Sequence, residues 1–143
     1  MAIINPYLNF PGTAEEAFNF YRSVFGGEFT IVQRFKDTYE AGKLSAEDGE
    51  KLMHISLPIS NGNVLMATDA LEATGHKFIP GNNFSLSLSV NSEAEAEKLF
   101  TGLSAGGNVT VPLQKMFWGA YFGMCYDKFG VQWMVNYDYN EQA

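Results

Sequence analysis

The chain has 143 residues, 46% of them apolar and 17% charged, which is enough to bury a core and suits one domain or one domain made of two halves. Nine basic against 16 acidic residues give a net charge of −7, and no Lys/Arg cluster interrupts the sequence, so the electrostatic footprint of a nucleic-acid partner is excluded. The single cysteine, Cys125, cannot form an internal disulfide, no stretch approaches a membrane span, and Met1 leads into a short apolar run without a basic flank; the expected location is the cytoplasm, with no membrane partner.

Ile3 to Phe10 reads as a short apolar strand ending at Pro11-Gly12. Thr13 to Glu16 fits a capping box that opens a helix, with Ala14, Ala17, Phe18, Tyr21, Val24 and Phe25 forming one apolar stripe and Gly26-Gly27 closing it. Glu28 to Phe35 alternates as a strand. Residues 36–51 form a polar connection, longer than most in compact domains, of the kind that is usually functional or disordered. Leu52–Ile59 and Asn63–Asp69 make a hairpin around Ser60-Asn61-Gly62, whose Asn-Gly pair is a strong turn signal.

After a linker at 71–83 the same order returns. Phe84 to Val90 is a period-two strand, and Ser92 to Glu95 is a second capping box before a helix whose stripe is Ala96, Leu99, Phe100 and Leu103. Gly106-Gly107 closes that helix, and Asn108 to Gln114 echoes the strand after the first glycine pair. Ala120–Tyr126 and Val131–Tyr137 then flank the turn Asp127-Lys128-Phe129-Gly130. On the last strand Val131, Trp133 and Val135 point one way, while Gln132, Met134 and Asn136 point to a face able to line a cavity. Two βαβββ units, about 1–70 and 84–138, give an α+β fold with curved mixed sheets and helices outside.

This pattern, with Asn19-Phe20-Tyr21 on the first helix, Gly26 after it and Asp127-x-Phe129-Gly130 before the last strand, resembles the glyoxalase/bleomycin resistance/dioxygenase (vicinal oxygen chelate) superfamily. NPYLNFPGTAEEAFNFY, MHISLPISNGNVLMATDA and FWGAYFGMCYDKFGVQWMVN are most similar to its PhnB-like branch, labelled 3-demethylubiquinone-9 3-methyltransferase-like. The resemblance implies a single glyoxalase-like domain and a homodimer. Metal-using members carry a His or Gln at the start of each module's first strand and a Glu inside its last strand. Those positions fall here on Pro6, Ser85, Met66 and Met134, a set without the donors that Zn, Ni, Mn or Fe(II) require, so neither metal nor cofactor is expected.

The candidate cavity residues are His54, Met66, Ser85, Ser87, Trp118, Gln132 and Met134. His54, expected on one face with Leu52 and Ser56, is either a general base or ligand donor, or a packed, hydrogen-bonded histidine. Ser85 and Ser87 are expected to face as Met66 and Met134 do, as ligand partners or as solvated groove serines. Trp118 either roofs the cavity or meets a dimer partner, and Trp133 belongs to the core. Cys125 reads as a buried small hydrophobe, Asp127 as a turn residue, and Asp69 as either a charge at the cavity mouth or a solvated strand end. The expected function is metal-independent binding of a small, partly aromatic or apolar molecule. Acid-base catalysis through His54 is the alternative, and a structural dimerisation module a third class.

Overall fold

The two matching halves of the sequence fold into two units with the same strand order. In the computed structural model, which describes residues 2–38, 41–60 and 62–140, one compact unit ends at Ile79 and the other begins at Pro80. The first contains β1 (Tyr7–Phe10), α1 (Ala14–Phe25), β2 (Ile31–Arg34), α2 (Ala46–Gly49), β3 (Leu52–Ser60) and β4 (Asn63–Asp69), in a sheet of order β1-β4-β3-β2. The second contains β5 (Leu86–Ser89), α3 (Glu93–Ser104), β6 (Asn108–Lys115), β7 (Ala120–Tyr126) and β8 (Gln132–Asp138), in the order β5-β8-β7-β6. In each, the first strand runs parallel to the last and the remaining pairs are antiparallel. This is the expected α+β fold of paired βαβββ modules.

Side-chain alternation assigns each sheet a helix-covered face and an open one. Leu8, Phe10, Ile55, Leu57, Leu65 and Ala67 are buried together with Ala17, Phe18 and Tyr21 of α1, and the Phe18 ring stands edge-on to Phe10 and Tyr21. In the second unit Cys125, Trp133 and Val135 are buried with Ala96, Phe100 and Leu103 of α3. A Cβ on Gly123 would stand 2.8 Å from the Phe100 ring, so glycine lets helix and sheet approach closely there. The glycine pairs after the helices have a shared cause: the second member lies against the backbone of the strand opposite, Gly27 on the Pro58 carbonyl and Gly107 on the Tyr126 carbonyl, where a Cβ would meet oxygen at 3.3 and 2.1 Å.

Several expected boundaries move. β1 starts at Tyr7 rather than Ile3, β2 is confined to Ile31–Arg34, and β5 starts at Leu86, leaving Phe84 and Ser85 ahead of it. The connection at 36–51 is partly ordered into 3-10 turns at Phe35–Asp37 and Ala41–Lys43 and the short α2, which Ser45 caps by accepting from the Asp48 amide. Asn61 of the Asn-Gly turn lies outside the described residues. Along β3 the register jumps between Gln33 and Arg34, which pair with His54 and Leu52, so Met53 is an extra residue. That bulge moves Leu52 off the face it was expected to share with His54 and into the buried set with Ile55 and Leu57.

Ser92 caps α3 as expected, its hydroxyl accepting from the Glu95 amide, while the Glu95 carboxylate accepts from the Asn91 amide, one residue ahead of the cap. The one at Thr13 does not, because Thr13 makes no side-chain cap bond. A residue far along the chain does that work. Asp69, 2% exposed rather than a solvated strand end, accepts from the Ala14 amide through Oδ1 at 2.9 Å and from the Leu52 amide through Oδ2 at 2.8 Å. Removing this carboxylate strands two buried donors, so Asp69→Ala is expected to cost about 3 kcal/mol in urea unfolding, against less than about 0.5 kcal/mol for Thr13→Ala. Equal losses would return the cap to Thr13.

Candidate functional site

On the open face of the first sheet, β1, β4 and β3 place Tyr7, Met66 and Ser56 side by side, since Met66 pairs with Tyr7 on one flank and Ser56 on the other. His54 lies one pleat along β3. Tyr7 spans β4 to reach it, with Tyr7 Oη 3.0 Å from His54 Nδ1 and the rings 5.5 Å apart. His54 Nε2 is 2.9 Å from Ser56 Oγ. The chain therefore runs from a half-exposed phenol, through an imidazole, to a buried hydroxyl. Burial raises the pKa of Tyr7 above the ordinary phenol range.

The open face of the second sheet has a different chemistry. Met134 is flanked by Ser87 on β5 and Met124 on β7, and Phe122 pairs with Asn136 one step further along. The Trp118 ring stacks edge-on against Phe122 at 6.0 Å and against Phe117 at 5.0 Å. Sequence reasoning passed over Met124 and Phe122; their place two and four residues before Tyr126 on an alternating strand was the signal available. The Gln132 side chain does not project freely, because its amide donates to the Phe84 carbonyl at 2.9 Å and fastens the approach to β5.

The four positions matched to metal ligands are uneven in register. Met66 stands opposite Tyr7, whereas Met134 stands opposite Ser87, so Ser85 corresponds to Asn5 and Pro6 to Leu86. Pro6 meets Met66 through its carbonyl, which accepts from the Met66 amide at 3.1 Å. Thioether, hydroxyl and proline do not fit a divalent ion of the superfamily's kind, and among the described residues no three His, Cys, Asp or Glu side chains cluster to hold one.

Other candidates have structural roles. Asp127 is buried and accepts from the Phe129 and Val131 amides through Oδ1 and from the Trp133 indole through Oδ2. Burial, aided by the Asp127 charge, pushes the Cys125 thiol up to about 11. His76 is exposed. A cavity of about 210 Å³ opens beside the N-terminus of α1, lined by Gly12, Glu15, Arg34, Glu50, Lys51 and Asp69 among others. Its polar groups are largely engaged: Arg34 makes two bonds to the Glu15 carboxylate, at 3.1 and 2.6 Å, which lower the Glu15 pKa, and Lys36 pairs with Glu50 at 2.7 Å.

Residues 2–136 match the family described as 3-demethylubiquinone-9 3-methyltransferase. The chain is similar to protein PA1353 from Pseudomonas aeruginosa, at 39% identity over 96% of this chain and 98% of that one, with a TM-score of 0.84. It is also similar to a PhnB protein from Bacillus cereus, at 29% identity over 95% and 99%, with a TM-score of 0.76. A glyoxalase-related enzyme from Fulvimarina pelagi shares the fold at 20% identity over 96% and 89%, with a TM-score of 0.63.

The raised Cys125 thiol sets an expectation. At pH 8 the folded protein should react with a thiol-specific disulfide reagent far more slowly than the urea-unfolded chain, because both the thiolate and access to it are lacking. A burst of one thiol per native chain would contradict a buried, inert Cys125.

Proposed function

We propose that this chain, which belongs to the 3-demethylubiquinone-9 3-methyltransferase family within the glyoxalase/bleomycin resistance superfamily, binds a small apolar or aromatic molecule without using a metal ion. The observation behind it is that thioethers occupy the last-strand positions: Met66 and Met134 sit half-buried on open sheet faces, Met134 with Met124 beside it and Phe122 and Trp118 nearby. Thioethers are flexible and polarizable and favour aromatic surface, and a few hydroxyls beside them, such as Ser87 and Tyr7, supply orientation.

The methyltransferase activity in the family's description is not extended to this chain. The sequence offers no Gly-rich strand-turn-helix unit of the kind that holds a nucleotide-like cofactor. A second possibility, acid-base chemistry at His54, is favoured by one observation: the imidazole is held at both nitrogens, by Tyr7 and Ser56, as a positioned base would be. The expected assembly is a homodimer, suggested by the exposed apolar side chains Ile31, Val32, Val109 and Phe117, and the expected compartment is the cytoplasm.

Untagged protein is expected to carry no stoichiometric divalent metal by elemental analysis, and in a thermal-shift screen the stabilising compounds should be apolar or aromatic. A ligand at 100 times its Kd adds about 2.7 kcal/mol, and Met134→Glu should abolish the shift for compounds that bind the second sheet. One Ni, Zn, Mn or Fe per chain that survives a mild chelator would overturn the metal-independent proposal.

Sedimentation equilibrium at micromolar concentration is expected to return twice the chain mass. A monomer would remove the homodimer from the proposal.

A further inference from the structure

The two ends of the Tyr7–His54–Ser56 chain differ in their access to water, and this fixes the direction of its hydrogen bonds. Ser56 is 3% exposed, and its hydroxyl has one partner among the described residues, His54 Nε2. A neutral imidazole has one N–H and one bare nitrogen. If Nε2 carried the proton it would donate to Ser56 Oγ, and the serine hydrogen would be buried without an acceptor, at the cost of an unmade hydrogen bond. If Nε2 is bare, Ser56 donates to it and nothing is stranded. The proton then sits on Nδ1, which donates to Tyr7 Oη, and the phenol must direct its own hydrogen outward. Tyr7 is 46% exposed, so that end has room for another partner.

We propose that Tyr7 is a ligand-binding residue whose hydroxyl, aimed by the Ser56 to His54 to Tyr7 relay, donates to a neutral carbonyl oxygen on an apolar or aromatic molecule lying over Met66. The neutral class follows from the surroundings. The open-face positions that the ladder places around Tyr7, among them Asn9, Gln33, Ser56, Met66 and Thr68, include no lysine, arginine or carboxylate, and an anion taken from water onto a single phenol donor would be poorly compensated. The raised phenol pKa is consistent with this, since it keeps the donor protonated. Met66, directly beside Tyr7 in the ladder, supplies the polarizable surface for the rest of the molecule. This assignment rests on the small-molecule-binding function proposed above and adds the polar group that the ligand must carry.

Two measurements test it. Imidazole ¹⁵N shifts of His54 in the labelled full-length chain should report the Nδ1–H tautomer, and Ser56→Ala should shift it toward Nε2–H. An Nε2–H tautomer in the unaltered protein would overturn the relay. Binding is then compared for 2-acetonaphthone and 2-ethylnaphthalene, which are close in shape but differ in the carbonyl. Tyr7→Phe, a surface change, should weaken the ketone about 3- to 10-fold and leave the hydrocarbon unchanged. Equal effects on both compounds would overturn the role of Tyr7 while leaving small-molecule binding intact. Binding of neither, alongside stabilisation by other compounds in the thermal screen, would overturn the carbonyl assignment; an empty screen would count against small-molecule binding itself.

Discussion

The first unit depends on one buried carboxylate. Asp69 ends β4 and accepts from the first amide of β3 and the first amide of α1, so a single side chain ties the end of one strand to the start of another and of the covering helix. A buried charge is tolerated only with strong donors, and two backbone N–H groups at 2.9 and 2.8 Å, one of them at the positive end of a helix dipole, supply them. The start of β3 matters for chemistry as well. Leu52, fixed by Asp69, precedes the bulge that returns the strand to register with His54 on the open face. Without that one-residue shift the imidazole would share the face of Leu52.

The second unit meets a similar demand elsewhere. Asp127 is also buried, but its carboxylate closes the β7–β8 turn and anchors the Trp133 indole, while α3 is capped locally by Ser92. The repeats thus share topology and glycine pairs but solve helix capping in different ways, through a remote residue in one and a neighbour in the other. Their open faces have diverged too. One presents a hydrogen-bonded phenol, imidazole and hydroxyl around Met66; the other presents Met124, Met134 and an aromatic cluster. The first is largely polar around one thioether, and the second is largely apolar with Ser87 and Asn136 at its edge.

Much of this was legible from sequence because it follows local period. The stripe Ala14, Ala17, Phe18, Tyr21 and Val24 is the buried face of α1, and β7 runs over the residues expected ahead of the Asp127–Gly130 turn. The glycine pairs marked the repeat correctly, though only their contacts with Pro58 and Tyr126 explain why glycine is required. Strand ends were less legible: Ile3 and Ile4 are as apolar as any strand residue, but β4 offers pairing partners only from Tyr7 onward.

The α+β class and the duplicated strand order were legible in the chain because periodicity is a property of the linear sequence, whereas the metal-ligand positions at Met66 and Met134 came from the family resemblance. Ser92 and Asp127 act as their local pattern indicated, but the partners of Thr13, Asp69, Tyr7 and His54 were settled by folding. Thr13 has the identity of a cap, yet Asp69, 56 residues further on, reaches the helix first. Tyr7 and His54, 47 positions apart, meet only because β1 and β3 flank the same strand, and the direction of their hydrogen bond depends on the burial of Ser56. Partner choice and solvent access are set by folding distant segments together, and local pattern carries no record of them.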